Sequence, residues 1–240
     1  MCVKGNKTRL NKYLADRGVC SRRAADTLIA NGEVFVNGKQ AVLGMMVGEE
    51  DEIRVRGTRV VGEKPAPVYL AFHKPVGIIT SVDPRAHDSV ISFLNLPERV
   101  FAIGRLDVAS SGLLLLTNDG RLSERITHPR YDHEKEYDVI VDHEISDGDL
   151  RQLASGMEIL GSMTKLAVVH RIDKRRFSIT LTEGRNRQIR RMCEALGYDV
   201  KRLVRVRVMN IKLGSLPVGA HRPLTKKETA ELLRFTLDRI

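Results

Sequence analysis

No stretch of the 240-residue chain approaches the ~20 apolar residues that a membrane-spanning helix needs. The opening MCVKGNKTRLNKYL carries charge but no apolar centre of the kind a secretory signal has. The protein is therefore expected in the cytoplasm, away from membranes. Cysteine is scarce as well. Cys2, Cys20 and Cys193 are odd in number and far apart, which fits reduced thiols rather than a disulfide framework. No Cys-x-x-Cys pair or Cys/His spacing suited to a metal is present. His128 and His133 stand close together without a second ligand pair, so no metal site is expected. A glycine-rich phosphate loop and a dinucleotide fingerprint are missing too, and no cofactor is expected. Acidic residues are the last shortage: 30 Asp and Glu against 40 Lys and Arg leave a net charge of +10. Such an excess points to a polyanion, and nucleic acid is the commonest one in the cytoplasm.

The basic excess is concentrated. Between Lys4 and Arg23 seven basic residues face one acid, Asp16, and between Gly184 and Arg207 eight face Glu194 and Asp199. Two patches in separate parts of the chain imply two grips on a phosphate backbone. Around the first patch the elements are legible. Leu10, Tyr13 and Leu14 recur at helical spacing in a helix from Arg9 to Arg17, and Gly18 suits the position past its end. Ser21 fits an N-cap for a second helix with Ala24, Ala25, Leu28 and Ile29 on its apolar stripe. Val34 to Val36 and the residues from Lys39 read as strands joined by Asn37-Gly38, which supplies the positive φ of a two-residue hairpin. Ile53 and Val55 add a further strand. The stretch from Arg56 to Pro67, with two glycines and two prolines among charges, reads as a linker. A small domain of residues 1–62 is expected to precede a larger one of residues 63–240.

In the larger domain one stretch organises the rest: GRLDVASSGLLLLTNDG, from Gly104 to Gly120. Leu113 to Leu116 lack polar alternation and read as a strand buried on both faces. Asp107 stands just before that strand. An aspartate near glycine commonly serves a turn, but the surrounding sequence supports another reading. Further along, His170 to Arg176 reads as a charged turn and Lys201 to Leu213 as one long strand. Thr225 and Glu228 have the spacing of a capping box that opens a last helix. The GRLD step with its leucine run, Lys74-Pro75-Val76-Gly77, Lys135-Glu136-Tyr137 and GRNRQIRRMCEALGY together resemble the signatures of the pseudouridine synthases of the RsuA, RluB and RluF type. RLNKYLADRGVCSRRAADTLIANGEVFVNGK resembles the small RNA-binding domain named after ribosomal small-subunit protein four. The likeness runs to about Pro223, and DHEKEY with NRQIRRMCEALGY is nearest the RluF and RluB branch.

The resemblance implies an α+β protein: two short helices and a hairpin, then a mixed, largely antiparallel sheet flanked by helices. It implies a monomeric isomerase that converts uridine to pseudouridine in ribosomal RNA, of the large subunit or its assembly precursor. Asp107 would be the nucleophile, Tyr137 the ring against the target base, Arg190 the cation paired with Asp107, and Leu203 a wall of the uracil pocket. Arg105, Arg187 and Arg191 would meet the surrounding nucleotide, and Lys74 would touch the RNA or shape the site. Arg9, Lys12, Arg22, Arg23 and Lys39 would hold structured RNA. A base stacked in folded RNA must swing out to reach such a site, and an aromatic partner replaces the lost stacking at ~1–3 kcal/mol per base. The residues leave open whether Asp107 attacks ribose C1′ or uracil C6. Two other readings stand beside this one. A non-catalytic protein of ribosome assembly would be supported by the first domain alone. A glycosidase-like hydrolase needs a second carboxylate opposite the first.

Overall fold

The computed structural model describes residues 7–61, 64–81 and 86–237. Cys2, Lys4, the boundary expected at 62/63 and the loop residue Asp83 lie outside them. The chain divides into two compact units, Met1–Pro67 and Val68–Ile240. Among the described residues no helix is long and apolar enough to cross a membrane.

In the first unit, helices Leu10–Asp16 and Arg22–Ala30 pack on a four-stranded sheet through Leu10, Leu14, Ala25, Ile29, Val34 and Ile53. The second helix is opened by Ser21, whose Oγ accepts from the Ala24 N–H at 3.1 Å. Arg56-Gly57 is not linker. It is the turn of a hairpin joining Ile53–Val55 to Thr58–Arg59, and both residues hold the positive φ, 52° and 78°, that such a turn requires. Arg9, Arg22, Arg23 and Lys39 are exposed. Lys12 is half-buried and paired with Asp16 at 2.8 Å, one helical turn on.

The second unit is built on a nine-stranded sheet. Its main path runs Val168–Asp173, Arg176–Leu181, Lys135–Val141, Val200–Val208, Ser111–Thr117, Tyr69–Lys74, His221–Pro223. All these neighbours are antiparallel except Ser111–Thr117 with Val200–Val208, a short parallel pairing. The leucine run shows why it lacks polar alternation. Leu113 and Leu115 pack on one face with Ile103, Leu122 and Ile126, while Leu114 and Leu116 pack on the other with Leu70, Phe72 and Val90.

Two expected elements differ. The charged turn is only Lys174-Arg175, because Val168–Asp173 is an edge strand whose charged side chains reach water without leaving the sheet. Lys201 to Leu213 is a hairpin: Val200–Val208 turns at Met209, whose φ is 52°, and returns as Ile211–Lys212. Apolar residues continue through that turn, so hydrophobic spacing alone does not mark it.

The last helix, Lys226–Leu237, begins with the expected reciprocal cap. Thr225 Oγ1 accepts from the Glu228 N–H at 3.1 Å, and the Glu228 carboxylate accepts from the Thr225 N–H at 2.8 Å. Arg222 adds an ion pair at 2.7 Å and is the largest cause holding the Glu228 carboxyl down to about 2, against an ordinary 4.5. The stability this gives is present above pH 4.5 and is lost as pH falls toward 2. Glu228→Gln is expected to cost ~1–2 kcal/mol at neutral pH. In thermal melts the difference from the natural protein should close as the pH approaches 2.

Candidate active site

Asp107 lies in the turn between strands Phe101–Ile103 and Ser111–Thr117. Gly104, with φ of 76°, starts the turn, and the Ser110 N–H donates to the Asp107 carbonyl at 3.0 Å. The Thr80 hydroxyl donates to the Leu106 carbonyl at 2.9 Å and accepts from its N–H at 3.2 Å. Three cationic side chains hold further carbonyls around it. Arg205, only 3% exposed, donates to Leu113 O at 2.7 Å and to Arg105 O at 3.2 Å. Lys74, fully enclosed, donates to Pro75 O at 2.8 Å and Ser110 O at 3.0 Å. Arg190 donates to Ala109 O and Val200 O, each at 2.8 Å. The backbone on both sides of Asp107 is thereby fixed. The half-buried Asp107 carboxylate itself takes no hydrogen bond or ion pair from any described residue. Burial pushes the Lys74 ammonium down to about 8, and the Asp107 charge opposes that shift.

Gly112 makes this possible. Its φ is 113°, and a Cβ there would stand 2.3 Å from the Arg205 carbonyl oxygen and 2.4 Å from the Arg205 nitrogen. The parallel pairing brings these two backbones too close for any side chain.

Asp107 opens onto a cavity of about 400 Å³, a size suited to a small ligand. Arg105 and Asp107 come from the turn, Lys135 and Tyr137 from strand Lys135–Val141, and Leu203, Arg205 and Val208 from strand Val200–Val208. The ladder between those strands pairs Glu136 with Arg207 and Tyr137 with Arg205, skipping Val206. This irregularity lets Arg205 and Val208 reach the same cavity, which strict alternation would forbid. The fourth wall is the loop before helix Gln188–Ala195. Glu183 staples it, accepting from the Lys165 N–H at 3.0 Å, Gln188 Nε2 at 2.7 Å and Arg185 Nε at 3.2 Å. Arg187, exposed and left-handed at φ 52°, lies where the loop becomes helix.

Of the residues expected from sequence, Asp107, Tyr137, Leu203, Arg105 and Arg187 share the cavity. Three differ. Arg190 is not ion-paired with Asp107; it holds the carbonyl of Ala109 and so acts on the turn, with the Asp107 charge still reaching it through space. Of the two roles open to Lys74, the geometry leaves shaping the site rather than touching RNA, because its ammonium is enclosed against two carbonyls. Arg191 folds back to Asn186 O at 3.1 Å, off the cavity wall. Arg205, counted in the basic patch, is interior and grips no phosphate. Lys135 and Glu183 were not foreseen. Lys135 had one signal, its place two residues before Tyr137 on the same strand face.

The sequence model described as RNA pseudouridylate synthase matches residues 68–195, and that of the S4 domain matches residues 8–53. The chain belongs to the RNA pseudouridylate synthase family. The dual-specificity RNA pseudouridine synthase RluF of Salmonella typhi is 45% identical over 230 residues, which cover 95% of this chain and 79% of that protein. The ribosomal large subunit pseudouridine synthase B of Bacillus subtilis is 40% identical, covering 93% of this chain and 95% of that one. A crystal structure of a pseudouridylate synthase, 32% identical, matches with a TM-score of 0.69 over 93% of this chain and 99% of that one. The synthase is an isomerase acting on RNA, with an S4 domain ahead of its catalytic fold.

In this synthase Gly112→Ala must part Ser111-Gly112 from Val204-Arg205. A loss of ~2–4 kcal/mol is expected in urea unfolding, with turnover per folded molecule reduced because the Asp107 turn shifts with the strand.

Proposed function

We propose that the synthase isomerises uridine in large-subunit ribosomal RNA or its assembly precursor, with Asp107 as nucleophile on a base swung out of its stack. The observation that carries this is a single cavity with an unengaged carboxylate, an aromatic ring and an aliphatic wall: Asp107, Tyr137 and Leu203. The isomerisation breaks the bond from ribose C1′ to uracil N1, turns the base and rejoins it through C5, which releases the C5 hydrogen. Nothing is oxidised or hydrolysed. A free carboxylate is competent for covalent attack. Tyr137 offers a flat face to replace lost stacking, and Leu203 an apolar one. Arg105 and Arg187, exposed at the rim, suit the flanking phosphates. Arg190 holds the turn through Ala109. In the S4 domain, Arg9, Arg22, Arg23 and Lys39 are free to meet structured RNA. The large-subunit target is supported by the name of the Bacillus subtilis relative. The synthase acts as a cytoplasmic monomer.

The two other readings lose support. A protein that only binds RNA gains nothing from an unpaired carboxylate facing phosphates. A hydrolase needs a second available carboxylate, and Glu183, the other one on the cavity wall, is occupied by Lys165, Arg185 and Gln188.

An unmodified large-subunit transcript carrying tritium at uridine C5 tests the proposal. Asp107→Asn is expected to lower tritium release by at least about 10³-fold while RNA binding holds. Arg190→Ala, which frees the turn, is expected to lower it by about 10²-fold. Full release by Asp107→Asn would remove the carboxylate from the reaction.

A further inference from the structure

Lys135 is a cation in the cavity that the chemistry above does not use. It shares a strand face with Tyr137, two residues on, and both line the cavity. Leu181 and Val208, its register partners on the neighbouring strands, line it as well. Its Nζ donates to the His133 carbonyl at 3.0 Å, which uses one of three ammonium protons. Among the described residues no carboxylate pairs with it. A half-buried ammonium without an acidic partner is unfavourable. Burial first, then the Arg205 charge, pushes it down to about 8. A bound group that brings negative charge would relieve both effects.

We infer that Lys135 is a further catalytic residue, whose ammonium faces the carbonyl oxygens of the extruded uracil and balances the charge the base takes on as it leaves C1′. This rests on the synthase reading of the cavity. When the C1′–N1 bond breaks, its electron pair goes to N1 and spreads to O2 and O4. When C5 bonds to C1′, the pair is returned. C5 then loses its proton and N1 gains one, so the sum is an isomerisation, and Lys135 keeps its proton throughout. A half-buried cation in a cavity acts on that charge more strongly than one in water. The rim arginines, being exposed, suit phosphates instead. The charged groups on the other walls are Arg105 and Asp107 on the turn, Glu183, Arg185 and Arg187 on the loop, and Arg205 on the adjacent strand. Glu183 is held by Gln188 and Arg185, so it does not neutralise the lysine.

The test compares two unmodified large-subunit transcripts, one with uridine and one with 5-fluorouridine, and follows loss of the parent nucleoside in a single turnover. Fluorine withdraws charge from the ring and makes uracil a better leaving anion, so less help is needed from a cation. Lys135→Met is expected to slow the uridine reaction by about 10²-fold and the fluorouridine reaction by clearly less, with RNA affinity by filter binding little changed. With RNA far below saturation, where the rate reports groups of the free protein, the rate of the natural protein should fall as pH rises past about 8, where the ammonium loses its proton. Lys135→Arg should recover much of the rate and move that fall to higher pH. Equal slowing on both transcripts overturns the inference, whether RNA affinity falls with it, which marks a phosphate contact, or the melting temperature does, which marks a structural role. Full turnover by Asp107→Asn on the same RNA would instead overturn the reading of the cavity on which it rests.

Discussion

One buried guanidinium joins the two ends of the turn that carries Asp107. Arg205 reaches the carbonyl of Arg105 before the aspartate and that of Leu113 after it. The Leu113 acceptor is buried and would be costly to leave without a partner. The rigid fork of an arginine suits two carbonyls at once, which a lysine's single ammonium does less well. Burial pushes down the ammonium groups of Lys74 and Lys135, and the same charge adds to it. A single side chain thus contributes both to the position of the carboxylate and to the electrostatics of the cavity beside it.

The sheet supplies the mount. Four leucines packed on both faces make Ser111–Thr117 a rigid central strand. Its parallel contact with Val200–Val208, short and tight at Gly112, brings two segments far apart in sequence to one place. The turn and strand Lys135–Val141 meet over strand Val200–Val208 with the stapled loop as the fourth wall. Cations then divide by burial. Those inside hold backbone carbonyls, and those at the rim are free for a polyanion.

Much of this was legible in the residues themselves. The leucine run announced a doubly buried strand, Ser21 and the Thr225–Glu228 pair announced helix starts, and the matched motifs singled out Asp107, Tyr137 and Leu203. What stayed hidden were bonds to backbone. A carbonyl has no letter in the sequence, so the partners of Arg190, Lys74 and Arg205 could not be read from side-chain identities. Lysine and arginine in a basic run also read as surface, and the skipped Val206 that brings Val208 onto the face of Arg205 leaves no mark on the alternation of VKRLVRVRV. The hairpin at Met209 was missed for a related reason: its turn residue is apolar, and its left-handed φ is not a habit of methionine.

A structure of the synthase bound to an RNA that carries its target uridine is the most direct measurement. The bonds from Arg205 to Arg105 and Leu113 should be unchanged, the uracil should lie between Tyr137 and Leu203, and the Asp107 carboxylate should stand within about 3.5 Å of the reacting carbon. A uridine still stacked in its helix, or one held in a different cavity with the Asp107 turn rearranged, would contradict a preset carboxylate that waits for the base.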